Sequence, residues 1–594
     1  MKRILMLAVS LFVLIALIVP GCGTTPTEEF VLTMAVSPEG AGTTTPTGTS
    51  SHEAAASVGV TATPGEGYEF ANWTAPAGTF ADANAATTTF TMPAQDVTVT
   101  ANFGCPEGDL AFSEGVIRVG IAGELGHMTG QFQMLGATMA QGAIDTMGGV
   151  VIDGEVHTFT LVPIETGEAT TDPTGAAGYS AMLGAIDDVD FVLGGFRTEA
   201  VMVYREVAMD EGVIFFNCGA ATEELQHSVV DDYEDYKYWF KTMPPNEYFL
   251  ADSVVRMVDA VGRQIRDGLA EAPDYTLRAA IIHDDAAWCE DLVLIIEDLL
   301  AGIHVDLVAP PVAVDPLLVT ADWITIIGGL AAHDPHFYIP ILSADGGAAF
   351  AGCRKAVHLN SMAVGINVPG QFKFPWAADL ATPPPGGPNI MFDILLDTTA
   401  EEIEVTALTQ PFFTAFVGFA GDYPLYTAAT YDALFGLKAA LEGTAWYCED
   451  TEKAYTNTDA VIAWLEDLGN ARETTTGTSA YYPMPGTTSD GMPALSEAQV
   501  AELYPHIGTA GYPSYAAADW TMPANTTHDI VIGPDYITGI GAQWQWDEVD
   551  EVWKKYAVWP MEIEGADLKD QYGDWNFEYT GTKPMYVFPG AIKP

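Results

Sequence analysis

The chain has 594 residues, too many for one ordinary domain, and sets 22 Lys plus Arg against 80 Asp plus Glu, a formal charge of -58. Phosphate backbones are bound by basic patches, so this balance excludes a nucleic-acid-binding role and disfavours polyanionic ligands in general. Charged residues make up only 17% and hydrophobic ones 48%, so the imbalance is a shortage of Lys and Arg in a globular chain, not an acidic disordered tail.

At the start, Lys2 and Arg3 precede an apolar run of about sixteen residues, short for a membrane-spanning helix, that ends in VPGC. Residues 1–21 are expected to be a secretory signal. VPGC resembles a bacterial lipobox, in which Cys22 would be acylated and become the new N-terminus after cleavage, and 22–27 would form a linker. An acylated Cys22 tethers a protein to a membrane surface without spanning it. The remaining Cys105, Cys218, Cys289, Cys353 and Cys448 are odd in number and widely spaced; no CxxC pair suggests zinc, and their pairing stays open.

Residues 28–104 alternate apolar and polar positions in short stretches such as VGVTATP and VTVTANF, separated by Gly, Pro and Thr turns. Period-two alternation predicts half-buried antiparallel strands. The run SPEGAGT, TATPGEGYEFANWT and VTVTANF resembles the divergent InlB-type B-repeat of bacterial surface proteins. One copy, where adhesive arrays repeat, implies a spacer.

After about residue 113, apolar runs alternate with helical patterns: VIRVGIAG, MLGATMAQGAIDTMGG, HTFTLVPIET, DVDFVLGG, VMVYREVAMDEG and VIFFNCG. A second such series runs from TLRAAIIHDDA to AVHLNSMAVGINVPG. This pattern predicts an α/β protein with two doubly wound parallel-sheet lobes after a small all-β module. Amphipathic helices follow in LYTAATYDALFGLKAALEGT and DAVIAWLEDLGN. The Gly/Pro/Ser/Thr-rich 474–527 is read as a surface excursion, and the end as a hairpin or two with exposed aromatics.

Taken together, IRVGIAGELGHMTGQF, DFVLGGFRTEA, GVIFFNCGAA, YWFKTMPPNEYF, AAIIHDDAAWCEDL and GPDYITGIGAQWQ stand in the order found in type I periplasmic binding proteins of the branched-chain amino acid group. The chain resembles that family from about 115 to its end, apart from the excursion. The resemblance implies two lobes joined by a multi-strand hinge: about 113–242 with 372–475, and 243–371 with 528–594. It further implies a monomer that closes over a small ligand, delivers it to an ABC permease outside the cytoplasm, and needs no cofactor or catalysis of its own.

In open parallel sheets, ligands settle at the carboxyl ends of strands, where helix N-termini offer free N–H groups. Thr198, Gly219, Ala220 and Thr222 stand at such ends and match the family's contacts to a ligand carboxylate and amine; Thr222 before Glu223 and Glu224 equally fits a helix N-cap. Arg197 either clamps a carboxylate or forms a rim salt bridge with Glu199 or Asp190. Glu199 is expected to be a solvated helix-start carboxylate. Trp288 occupies the position of a family Tyr that closes on the ligand, and Ser343, Asp345 and Asn367 are polar candidates from the second lobe. The family places an acidic amine partner near Asn367, where this chain has none; unless Asp345 or Asp284 substitutes, that departure disfavours an unmodified α-amino acid. Thr129, with Met128 and Phe132, either lines the side-chain pocket or caps and buries the first helix.

Catalytic motifs are missing: there is no GxSxG, HExxH or P-loop. His333, Asp334 and His336 lack a third ligand nearby, so no metal is assigned. A ligand-binding partner of a signalling receptor and a surface adhesin using the β module are the two alternatives to an importer component.

Overall fold

The computed structural model describes residues 28–481 apart from positions 66, 223, 246, 270–274, 317, 344, 359–360, 374–375, 377–379, 382–392, 399, 402, 405, 450, 477 and 480, together with 540–547, 549–559 and 578–579. The signal segment, Cys22 and residues 482–527 of the excursion lie outside these. Two units are formed, one ending at residue 108 and including 448–452, the other comprising 109–447 and the chain from 453 onward.

The first unit contains β1 (Glu29–Ser37), β2 (Gly42–Thr45), β3 (Thr49–Glu53), β4 (Ser57–Pro64), β5 (Glu69–Thr74), β6 (Thr79–Phe80), β7 (Thr87–Thr91) and β8 (Val97–Gly104). They make two four-stranded sheets, ordered β3-β1-β8-β5 and β2-β4-β7-β6. Alternate residues point inward, and Leu32, Val60, Trp73, Phe90 and Val99 from both sheets share one core. The pairing differs from the expected all-antiparallel pattern at one place, since β1 and β8 run parallel. Period two fixes which face is buried; the direction of a partner distant in sequence is not encoded in it. Within this unit Cys105 is disulfide-bonded to Cys448, whereas Cys218, Cys289 and Cys353 are free and buried.

The first lobe of the second unit is built on β10 (Val116–Gly123), β11 (Val150–Ile152), β12 (Glu155–Glu165), β13 (Phe191–Gly194), β14 (Phe215–Asn217) and β15 (Trp239–Lys241), in the order β11-β12-β10-β13-β14-β15; the preceding β9 (Leu110–Ser113) pairs antiparallel with Lys453–Thr456. All neighbours from β12 to β15 are parallel, which explains why strands such as FVLG are apolar on both faces. Helices α1 (Met128–Thr146), α2 (Ala176–Ala185), α3 (Thr198–Asp210), α4 (Glu224–Asp231) and α5 (Tyr233–Tyr236) accompany the strands.

After α6 (Glu247–Leu269), the second lobe strings β16 (Leu277–Asp284), α7 (Ala287–Leu300), β17 (Val305–Leu307), β18 (Val312–Val314), α8 (Thr320–Ala331), β19 (Phe337–Leu342), α9 (Gly346–Val357), β20 (Met362–Asn367) and β21 (Ile394–Asp397). Its sheet runs β17-β16-β19-β20-β21 and is extended by the antiparallel hairpin of β22 (Ile540–Asp547) and β23 (Val552–Trp559), with β18 beside β16.

Three details depart from the sequence reading. Residues 394–397 were expected with the first lobe, yet β21 pairs with β20, and Phe412 and Phe416 of α10 (Thr409–Ala420) join the second-lobe core around Ile339, Ile341 and Val364. The chain returns only afterwards, through α11 (Thr430–Thr444) and α12 (Thr458–Glu466), whose Leu434, Leu437, Val461 and Ile462 pack with Val119, Ile121 and Leu193 of the first sheet. The second concerns the hairpin, whose Trp544, Trp553 and Tyr556 are buried, not exposed: the two indoles pack in a core cluster with Phe350, Phe413 and Tyr423, and the Tyr556 hydroxyl donates to Asp547 Oδ2. Of the expected excursion, Thr474, Thr475, Thr476, Ser479 and Tyr481 are buried: Tyr481 lies in the first-lobe core, and Asp432 accepts from both the N–H and the hydroxyl of Thr475.

Candidate ligand-binding site

The strand ends of both sheets face one another across a shared cavity. From the first lobe it is walled by Ala169, Phe196, Arg197, Thr198, Gly219 and Ala221, and from the crossing into α6 by Met243, Pro244, Pro245, Leu250 and Ser253. Ala286, Trp288, Pro316, Ser343, Ile366 and Val368 come from the second lobe. Gln371, Leu396, Asp397, Thr398 and Tyr426 complete it. Most of this wall is aliphatic or aromatic, with a few placed polar groups, the usual composition of a small-molecule site.

Buried carboxylates hold the first-lobe loops. Glu124, at the end of β10, accepts from Thr170 N (2.6 Å), Thr170 Oγ1 (2.5 Å) and Thr171 Oγ1 (3.0 Å), pinning the loop after β12. Burial alone would raise the Glu124 carboxyl; the Thr170 and Thr171 hydrogen bonds outweigh it, and the group titrates below its ordinary value. Glu168 Oε2 accepts from Phe196 N (3.1 Å), Arg197 N (3.2 Å) and Tyr204 Oη (2.9 Å), so it carries the loop after β13 from beneath. With no exposed surface, burial pushes Glu168 up to about 7. The next loop touches this one closely: a Cβ on Gly219 would lie 2.0 Å from the Gly195 carbonyl oxygen, so only glycine fits. Asn217 closes the loop after β14 by donating to Ala220 O (2.8 Å) and accepting from Ala220 N (3.1 Å), and the buried Lys241 donates to Ala221 O (2.9 Å).

Of the residues singled out from sequence, Arg197, Thr198, Gly219, Trp288 and Ser343 line the cavity. Thr198 is 2% exposed, and its hydroxyl has no hydrogen-bond partner among the described residues. Arg197 Nε lies 3.3 Å from Glu199 Oε2, while Asp190 instead accepts from Arg118 N (2.6 Å). Trp288 sits in the first turn of α7, and its indole N–H is buried without a partner among the described residues. Ser343 donates its hydroxyl to Asp284 Oδ2 (2.9 Å), to which its N–H also donates (2.6 Å).

The other candidates are employed elsewhere. Thr129 bonds to His127 Nδ1 (2.9 Å) at the cap of α1. Met128 and Phe132 pack into the core, Phe132 edge-on to Phe372 and Phe416 at centroid distances of 5.4 and 5.0 Å. Ala220 is held through its main chain by Asn217 and is not among the lining residues. Thr222 accepts from Glu224 N (3.3 Å) and donates to Glu247 Oε1 (3.2 Å), the arrangement of a helix cap. Asn367 donates to Gly347 O (3.0 Å). Asp345 meets His127 Nε2 at 3.3 Å, a contact that spans the cleft. Glu199 is not a solvated carboxylate as expected: its Oε1 accepts from Ala287 N (2.8 Å) at the start of α7, a second link between the lobes.

Sequence reasoning missed Met243, Pro244 and Pro245, whose Pro-rich break at the end of β15 was a legible signal, and Leu396, Asp397 and Thr398, whose strand it assigned to the other lobe. Asp397 is engaged by Thr398 N (2.7 Å) and by the buried Lys555, which also donates to Gln371 O (3.2 Å) and lies 4.8 Å from the Tyr423 ring centre. No group of three metal-ligating side chains exists among the described residues; His336 is buried, accepts from Arg278 N (3.0 Å), and is lowered to about 4 by burial and then by Arg278.

Two parallel-sheet lobes meeting at an apolar cleft between their strand ends define the type I periplasmic binding protein fold, that of ABC-transporter solute-binding proteins. The structure is similar to a solute-binding protein of an ABC transporter from Rhodopseudomonas palustris BisB5 in complex with 3,4-dihydroxybenzoic acid (13% identity, TM-score 0.50, 75% of this chain and 97% of that one). It is similar also to a protein described as a branched-chain amino acid ABC transporter from Silicibacter pomeroyi (17%, 0.51, 76% and 98%) and to a substrate-binding protein from Sphaerobacter thermophilus (14%, 0.50, 75% and 97%). At these identities the likeness is one of fold. Residues 32–105 match the divergent InlB B-repeat domain family. No curated protein matches the chain by sequence.

Proposed function

We propose that the protein is the extracytoplasmic solute-binding component of an ABC importer, anchored by a lipid on Cys22, with the β module as a spacer. Its ligand is a small carboxylate, amide or amino acid. The observation carrying this reading is the mostly apolar cavity to which both lobes contribute at their strand ends, with the Thr198 hydroxyl in its wall without a partner among the described residues.

The mechanism is hinge closure. Ligand settles on the first-lobe donors, and the second lobe brings Trp288 and Ser343 over it. The Glu199–Ala287 and His127–Asp345 contacts link the lobes and stabilise the closed arrangement with or without ligand, while the ligand's own preference for that arrangement shifts the equilibrium toward it. A membrane permease then reads the closed form, and ATP is consumed by separate subunits. Among the described residues no helix is long and apolar enough to cross a membrane.

A thermal-shift panel of amino acids, amides and small carboxylates tests the reading: the right ligand raises the melting temperature, and small-angle scattering shows compaction on its addition. A panel without a single stabilising compound refutes it. For the anchor, Cys22→Ser is expected to abolish incorporation of a labelled fatty acid and release the protein from the membrane fraction.

A further inference from the structure

One segment is gripped by both lobes away from the cavity wall, and under the hinge-closure reading above it bears on how they swing. The two-residue strands Arg472–Glu473 and Thr478–Ser479 pair antiparallel, with Thr474, Thr475 and Thr476 between them. This finger is rooted in the first lobe. Tyr481 lies in that lobe's core with its hydroxyl 2.9 Å from Thr242 Oγ1, and the Arg472 guanidinium lies so near α11 that Gly436 has no room for a Cβ.

Its tip reaches the second lobe. Thr406 Oγ1 donates to Thr474 O (2.5 Å) and Thr409 Oγ1 to Thr475 O (2.8 Å), so two hydroxyls at the start of α10 hold consecutive carbonyls of the finger. From the first lobe, Asp432 in the first turn of α11 accepts from Thr475 N (3.0 Å) and from Thr475 Oγ1 (2.6 Å). Thr475 is thus held by a carboxylate of one lobe and a hydroxyl of the other. Asp432, Thr409, Thr474, Thr475 and Thr476 are all buried, so water does not compete for these bonds, and leaving any of the groups without its partner is costly.

We propose that Asp432, Thr475 and Thr409 form a tether that fixes the pivot of lobe closure, with Asp432 the positioning residue that turns the finger's carbonyls toward α10. None of the three is among the residues lining the ligand cavity, so the tether acts on the lobes and not on the ligand. A pivot that slips spreads the lobes over more angles, and apparent affinity falls with the fraction still able to close on a ligand. The segment read from sequence as a surface excursion therefore begins as a working part of the hinge.

Double electron–electron resonance on the ligand-free full chain tests this, with spin labels at Leu183→Cys on α2 and Leu294→Cys on α7, exposed positions on the two lobes; Cys218, Cys289 and Cys353 are free but buried. The tether is cut from the second lobe by Thr406→Val with Thr409→Val, and from the first by Asp432→Ala. Each cut is expected to broaden the interlobe distance distribution, whereas Thr406→Ser with Thr409→Ser, which keeps both hydroxyls, retains the parental width. Parental width in either cut variant overturns the proposal, and so does broadening that the serine pair shares. Should one cut variant not fold, the other decides. No ligand enters the measurement, so a silent thermal-shift panel removes the solute-binding reading without touching the tether, and equal widths remove the tether without touching that reading.

Discussion

Replacing Glu168 by Gln asks whether the carboxyl beneath the ligand loop is carried as a neutral group. Glu168 has no exposed surface; Oε2 takes the N–H groups of Phe196 and Arg197 and the Tyr204 hydroxyl, while Oε1 is buried without a hydrogen bond. Burial penalises the ionised form more than these bonds favour it, so the group moves from 4.5 up to about 7. The unfolded chain releases this proton near 4.5, whereas the folded chain holds it until about 7. The folded state then binds more protons throughout that window, and stability falls as pH rises through it. At about 1.4 kcal/mol for each unit between the two values, the loss approaches ~3 kcal/mol above pH 7. Glutamine keeps an oxygen for the three donors and never ionises, so Glu168→Gln lacks this loss. Urea unfolding followed by Trp fluorescence between about pH 4.5 and 8 is expected to show the stability difference shifting by ~3 kcal/mol in favour of the variant as pH rises. A difference independent of pH, or one shifting toward the parent, refutes the reasoning.

Three further substitutions bear on site and scaffold. Trp288→Ala is expected to weaken binding of the identified ligand about tenfold or more by titration calorimetry, with an unchanged circular dichroism spectrum; unchanged affinity removes Trp288 from the site. Gly219→Ala must push apart two loops whose gap leaves a Cβ 2.0 Å from Gly195 O, so both melting temperature and ligand affinity are expected to fall. Phe416→Ala removes a fully buried ring that meets Phe132 edge-on at 5.0 Å, and is expected to cost about 3–5 kcal/mol in denaturant unfolding; a cost under about 1 kcal/mol would mean that Phe416 is not packed as described.

Glu199 and Asp345 show how a cleft uses charge without spending it on ligand. Both are polar residues at helix starts, and each reaches across to the opposite lobe, Glu199 to Ala287 N and Asp345 to His127. The Asp345 carboxyl is lowered chiefly by its hydrogen bond to His127, so that contact favours its ionised form. Read along the chain alone, both look like residues waiting for a ligand or for water.

What the sequence determined by itself is everything with a short period or a local boundary. Alternation located the buried face of the β module, apolar runs between helical patterns located the sheets, and small residues at strand ends located Thr198, Gly219 and Ser343, because strand ends in a parallel sheet are where a cleft must lie. Tertiary structure alone decided which polar side chains remain for a ligand. Thr222 turns to Glu247, Asn367 to Gly347, and Asp397 to Lys555, a partner 158 residues away. It also decided that residues 394–397 join the second sheet and that β1 lies parallel to β8. The physical reason is common to these cases: a residue's burial follows from its neighbours in sequence, but its hydrogen-bond partner is set by whichever distant group the fold brings within about 3 Å.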